Sequence, residues 1–281
     1  MTVRIDAHQH FWTYSAHPKH FPWMSDELRV LRHDFGPNDL QPLLDSHGID
    51  GTIAVQAREM PEETDFLLAL AADNPCIKGV VGWLDLCDPA IESAIEKVAQ
   101  NPVLKGLRML IHDRSDTGFA SSPAHLRGVK LLENYGLAYD LLLKPPHITA
   151  AIDLIDALPN QVFVLDHIAK PDIKGEVMEP WATDLARLSK RQNVSCKLSS
   201  LVTQSDWATW RTSDYTRYLD HVLDCFGANR LMIGSDWPVC TLVAGYGETL
   251  GIVRNWASNL GANEQAEILG ETASRVYRLG L

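Results

Sequence analysis

Short apolar runs, rich in β-branched side chains and each closing on polar groups, recur along the 281-residue chain. In order they are VRID (3–6), GTIAVQ (51–56), IKGVVGWLDL (77–86), LKGLRMLI (104–111), GLAYDLLL (136–143), QVFVLD (161–166), NVSCKLS (193–199) and RLMIGS (230–235). Nearly continuous apolar runs of this length belong to strands buried on both faces, as in a parallel sheet wrapped by helices. Between them, DLQPLLDSHG, EETDFLLALAADNP, DPAIESAIEKVAQNP, SPAHLRGVKLLENYG, HITAAIDLIDALPN, EPWATDLARLSKRQ and YTRYLDHVLDCFG carry helical spacing. Several open on Asp, Ser or Pro and close on Gly or Asn-Pro, as helix starts and stops do. Strands about 25 to 50 residues apart predict repeated βα units, and eight such units predict an α/β fold of the (β/α)8 TIM-barrel type. No GxGxxG or GxxxxGK[ST] follows the first strand, which removes the marker of a nucleotide-binding sheet. No Ser/Gly-rich linker or charge run marks a second domain, so a single domain is expected over residues 1–281.

In a barrel of this kind the strands' C-terminal ends converge on one mouth, where the chemistry sits. The polar groups at those ends are His8 and His10, Gln56, Trp83 and Asp85, Arg108 and His112, Lys144 and His147, His167 and Lys170, Lys197 and Ser199, and Asp236. In VRIDAHQHFW, alternation along the strand puts Asp6, His8 and His10 on one face. One histidine on an apolar strand is commonly a satisfied core residue, but three with Asp236 are costly to bury unless they pair with each other, a metal or a ligand. Asp236, before Trp-Pro, also suits a helix cap; the strand-end position favours catalysis. Two aromatic-rich excursions, residues 11–38 and 200–215, follow strand ends and are expected to wall a pocket, the plainer alternative being surface loops pinned by Trp23, Trp207 and Trp210.

The acidic balance narrows the partners. Asp plus Glu total 36 against 25 Lys plus Arg, a formal charge of −11, which disfavours nucleic acid and anionic membranes and leaves a small soluble substrate. The hydrophobic fraction of 46% suits a globular core. Five cysteines without CxxC spacing fit a reducing compartment, and the start MTVRIDAHQH has no signal-peptide run, so a cytoplasmic location is expected.

The strings IDAHQHFW, FPWM, LRHDFGPNDL, LLKPPH, LDHIAKP, CKLSSLVT and GSDWPVC, with the terminal ETASRVYRLGL, resemble the sugar-lactonase branch of the amidohydrolase superfamily, the group of L-fuconolactonases and L-rhamnonolactonases. The likeness spans nearly the whole chain. It implies an amidohydrolase-type barrel and a carboxylic-ester hydrolase of L-fucose catabolism that opens an aldonolactone, L-fuconolactone foremost, to the aldonic acid. It assigns catalytic roles to His8, His10, His167 and Asp236, with Asp236 activating water, and the same four residues would hold a divalent metal such as zinc if one binds. Lys144 stands where metal-binding members place histidine, and no lysine ends the fourth strand as a bridge, so hydrolysis with no required cofactor is the expectation. Substrate contacts are expected from Lys144, Arg108, Lys170, Lys197, Trp83 and Trp237, with Tyr246 as a further stacking group; Arg108 and Lys197 have the alternative of pairing with structural carboxylates such as Asp85 or Asp140. The alternatives are a zinc-dependent decarboxylase or other hydrolase of the superfamily, and a non-catalytic sugar-acid binding protein. The sequence leaves the oligomeric state open.

Overall fold

A computed structural model describes residues 3–281, so the first two residues of the MTVRIDAHQH start lie outside it. Eight parallel strands follow one another in the sheet in chain order: β1 (Ile5–Gln9), β2 (Gly51–Val55), β3 (Ile77–Gly82), β4 (Leu104–Met109), β5 (Ala138–Leu141), β6 (Phe163–Leu165), β7 (Val194–Leu198) and β8 (Leu231–Ile233). Helices cross over between them: α1 (Pro37–His47), α2 (Glu63–Asp73), α3 (Ile91–Ala99), α4 (Pro123–Leu131), α5 (Ile148–Ala157), α6 (Trp181–Leu188), α7 (Ser213–Phe226) and α8 (Tyr246–Ala257). The ends of the sheet meet where Asp236 N donates to His8 O at 2.8 Å and His10 N to Trp237 O at 2.7 Å. This is the expected (β/α)8 barrel.

Its strands are shorter than the apolar runs suggest. The runs 77–86, 136–143 and 230–235 keep strand pairing only over Ile77–Gly82, Ala138–Leu141 and Leu231–Ile233, and their last residues bend into the mouth loops. Three helices went unforeseen: α8, whose Gly247 and Gly251 weaken its periodic signal, and the five-residue α9 (Ala262–Ala266) and α10 (Thr272–Val276) that follow it.

Two apolar layers hold the barrel. Outward residues such as Ala54, Leu107, Leu141, Leu165 and Leu231 pack against the helices. The interior is filled by Ile5, Ala7, Ile53, Val55, Val81, Ala138, Val164 and Met232, with Ala273 and Tyr277 from the chain's last helix, α10 (Thr272–Val276), and the turn after it. α9 (Ala262–Ala266) precedes that segment. The barrel is therefore a packed core whose floor is plugged by the C-terminus, leaving the opposite mouth for chemistry.

Candidate active site

The first strand does not keep simple alternation. Its pairing with β2 shifts register between Asp6 and Gln9, a bulge that puts one extra residue on β1. Ala7 belongs to the interior cluster, yet His8 also contacts interior side chains. Asp6 turns away from both histidines' side chains: it accepts from Ser235 N (2.8 Å), Ser235 Oγ (2.6 Å) and the Tyr246 hydroxyl of α8 (3.0 Å). The expectation that Asp6 shares a face with His8 and His10 is thus corrected, and the reason is the bulge.

The bulge and the β1–β8 seam bring four groups together. His8 Nε2 lies 3.2 Å from His10 Nε2 and 3.7 Å from Asp236 Oδ1. Asp236 Oδ1 is 3.3 Å from His10 Nε2 and 4.0 Å from His167 Nε2. His10 Nδ1 is fixed by donating to Val55 O at 2.8 Å, and His167 Nδ1 bonds Ser199 Oγ at 2.7 Å. All four residues are buried.

The backbone that delivers these groups is unusual. After β6 the chain makes a turn in which His167, Ile168, Ala169 and Lys170 all have positive φ, 48° to 61°, and Ser200 and Asp236 share that left-handed conformation. Non-glycine residues visit this region at a cost and concentrate where function fixes them. The turn presents both His167 and Lys170 to the mouth.

Beneath the histidines lies a layer of buried charge. Arg108 Nη1 donates to Asp166 Oδ2 at 2.7 Å, and its Nη2 donates to Gln56 O and Oε1 at 2.6 and 3.0 Å. Lys197 Nζ is 2.6 Å from Asp140 Oδ2 and 3.0 Å from Asp166 Oδ1. Burial pushes the Asp140 carboxyl up to about 6 despite Lys197, whereas Lys197, His8 and Arg108 together outweigh burial at Asp166 and hold it well below the usual carboxylate range. At Asp236 burial again works upward, but His167, His10 and the Ser200 hydroxyl outweigh it, so the carboxylate stays ionised at neutral pH. Burial acts on His8 and His167 in turn, lowering both imidazoles well below their ordinary value.

Above this floor opens a cavity of about 250 Å³. His10, Arg108, His167, Lys170 and Asp236 line it, with Trp12, Trp23 and Leu28 from the first excursion and Ser200, Thr203, Gln204 and Trp207 from the second. Both excursions wall the pocket, as expected; Trp210 instead packs beside Tyr215. Arg108 Nε, His112 Nδ1 and Trp23 Nε1 are buried without a hydrogen-bond partner, and all three residues line the cavity. Two of these, Arg108 Nε and Trp23 Nε1, are N–H donors, and unpartnered polar groups of this kind suit a polar, hydroxyl-bearing ligand.

Several expected contacts lie elsewhere. Lys197 is fully buried below His8 and pairs with Asp140, the structural alternative. Lys144 follows the early end of β5, is half-exposed, and stands 3.5 Å from Asp113 at the rim. Its ammonium therefore sits at the rim and not at the centre of the mouth. Trp237 packs against Phe11 and Phe35, Trp83 against the helix layer, and Tyr246 beside His47, each because its strand ended sooner than the apolar run implied or because α8 carries it outward. Sequence reasoning missed Asp166, although an Asp closing an apolar strand directly before His167 was a usable signal.

The donors were tested for a metal. A tetrahedral zinc with bonds of about 2.0–2.1 Å requires ligand atoms roughly 3.3 Å apart. His8 Nε2, His10 Nε2 and Asp236 Oδ1 stand 3.2 to 3.7 Å from one another, so these three fit one divalent ion, while His167 Nε2, 4.0 Å from Asp236 Oδ1, lies outside that group.

Comparison with known proteins accords with this geometry. The family profile described as amidohydrolase matches residues 5–279. The chain is 40% identical over 293 residues to a protein of Burkholderia multivorans named L-fucono-1,5-lactonase, covering 99% of this chain and 96% of that one. A protein of the same name in Burkholderia ambifaria is 34% identical over 287 residues, covering 99% and 97%. A crystal structure of an amidohydrolase from Burkholderia multivorans with bound zinc superimposes with a TM-score of 0.90 at 39% identity, covering 98% of this chain and 99% of that one.

Proposed function

Because the chain belongs to the amidohydrolase family, we propose that it hydrolyses a sugar lactone, L-fucono-1,5-lactone or an aldonolactone with the same ring hydroxyls, to the open-chain acid. The observation that carries this reading is an ionised Asp236 among three imidazoles at the base of a cavity lined by partnerless donors. Names borne by relatives at 40% and 34% identity support the substrate class.

Asp236 takes a proton from a water over the lactone carbonyl, and His10 and His167 orient that water. Negative charge developing on the carbonyl oxygen faces Arg108 and Lys170. Asp236 then returns the proton to the ring oxygen as the C–O bond opens, giving a hydroxyl and a carboxylic acid, which releases its proton to solvent to become the carboxylate. Arg108 Nε, His112 Nδ1 and Trp23 Nε1 take ring hydroxyls. A divalent ion bound to His8, His10 and Asp236 would supply Lewis-acid polarisation and a more acidic water. Our reading remains that no cofactor is required, since a lactone is an activated ester and the wall already carries two cations.

We also take residues 1–281 as one folding unit in the cytoplasm. The five cysteines are free, in keeping with a reducing compartment, and among the described residues no helix is long and apolar enough to cross a membrane.

The test is acid release from a panel of aldonolactones, followed with a pH indicator before and after exhaustive chelation. Turnover that survives chelation supports the full reading. Turnover lost to chelation and restored by zinc makes the reaction metal-dependent, and no acid release from any lactone at any pH removes the lactonase reading.

A further inference from the structure

His8 meets buried groups at both ring nitrogens, and the donors around it determine which nitrogen carries the proton. Lys197 Nζ lies 3.2 Å from His8 Nδ1. An ammonium has three N–H donors and no lone pair. Its three neighbours are Asp140 Oδ2, Asp166 Oδ1 and His8 Nδ1, at 2.6, 3.0 and 3.2 Å. The ammonium hydrogen-bonds Asp140 Oδ2 and His8 Nδ1 and keeps Asp166 Oδ1 as an ion-pair neighbour, and His8 Nδ1 can accept only if it is bare.

The other side of the ring agrees. His10 gives its Nδ1 proton to Val55 O, a group that can only accept, so when that is the ring's one proton Nε2 carries a lone pair. His8 Nε2 stands 3.2 Å from that lone pair and must supply the proton. The opposite tautomer would set N–H against ammonium at Nδ1 and lone pair against lone pair at Nε2. It would gain only Asp166 Oδ1 at 3.3 Å and the Arg108 Nη1 contact at 3.3 Å. Arg108 Nη1 is already satisfied by its 2.7 Å bond to Asp166.

The chain continues downward to the barrel floor. The Tyr277 hydroxyl lies 2.9 and 2.8 Å from the two oxygens of Asp140, which in turn holds Lys197. Tyr277, Asp140 and Lys197 are all buried within 1% exposure, so no solvent competes for these bonds.

We propose that Lys197 is a positioning residue that fixes His8 as its Nε2–H tautomer, with Tyr277 acting through Asp140 to hold the ammonium in place. His8 is thereby a hydrogen-bond donor at the floor of the site. Zinc binding at His8 Nε2 requires that proton to move to Nδ1, against Lys197, so the buried chain lowers the metal affinity that the donor spacing offers.

The experiment uses full-length, metal-free, ¹⁵N-labelled protein. Long-range ¹H–¹⁵N correlation at neutral pH reports the protonated nitrogen of each histidine, and His8→Gln identifies the His8 signals. The expected result is a proton on Nε2 in the native protein. In Lys197→Met the proton moves to Nδ1, and calorimetric titration with zinc chloride shows at least about tenfold tighter binding, the scale on which groups behind metal ligands act. Should Lys197→Met fail to fold, Tyr277→Phe keeps the ring volume and is expected to shift both readouts the same way, with at least about twofold tighter zinc binding. A proton on Nδ1 in the native protein, or zinc binding no tighter in the folded variant, overturns the proposal. Neither readout uses lactone turnover, so an inactive lactone panel would remove the proposed function and leave this inference standing.

Discussion

At the scale of single residues, Asp236 is the group on which we propose that activity turns. Its carboxylate is held ionised by His167, His10 and Ser200 against the effect of burial. Asp236→Asn keeps the shape and removes the base, so kcat is expected to fall by at least about a hundredfold with little change in melting temperature, measured on whichever lactone the panel selects. A residual rate close to the native one would place the base elsewhere. His8, His10, His167 and Asp236 were legible in the sequence because a barrel forces strand-end polar groups to one mouth. Lys144, Trp83 and Trp237 were misplaced for a related reason: an apolar run shows that a segment is buried, and not where strand pairing stops. Lys197 was read as having two possible destinies, and the structure selects its pairing with Asp140.

Between elements, fit is set by contacts that tolerate little change. Gly234 lies between β8 and Asp236, where an added Cβ would stand 2.7 Å from the Cβ of His8 and 3.1 Å from that of Ser199. Since Ser199 holds His167, Gly234→Ala displaces two of the three imidazoles. It is expected to destabilise by about 1–3 kcal/mol and to lower kcat, read by urea unfolding and turnover. A second coupling joins α4 to β5: His125, fully buried, donates from Nδ1 to Ala120 O at 2.7 Å and accepts at Nε2 from the Tyr139 hydroxyl at 2.6 Å. Burial pushes its imidazole down to about 4 from 6.5. Between those values the unfolded chain binds a proton that the folded one refuses, so stability rises with pH across the window and drops by about 3 kcal/mol as pH falls through it. His125→Gln should flatten that part of the stability curve in denaturant titrations at pH 4.5 and 7; an unchanged slope would count against it. The seven helices read from spacing were all found, and α8 escaped because Gly247 and Gly251 interrupt its pattern.

At the scale of the whole molecule, the C-terminal segment finishes the barrel. Tyr277 fills the floor among Ile5, Ile53, Val81 and Met232, far along the chain from every residue it supports. Nothing in its own neighbourhood of sequence announces this, since its neighbours Arg278 and Arg275 belong to an outer surface. Tyr277→Ala removes the ring and the hydroxyl that Asp140 accepts, and a loss of about 3–5 kcal/mol is expected in a single unfolding transition. Two separate transitions would instead show that the floor and mouth fold independently. The charge balance of −11 also gains meaning here: a molecule negative overall keeps Arg108 and Lys170 on the wall of the cavity above the histidines.

The four left-handed residues from His167 to Lys170 set stability against activity. Ala169 is buried, small and at φ 61°, a position where glycine rests without strain. Ala169→Gly is expected to raise the melting temperature by relieving about 1 kcal/mol while slowing turnover, because the same strain that weakens the fold stiffens the support of His167. Strain at that turn is therefore the cost at which the mouth gains its rigidity.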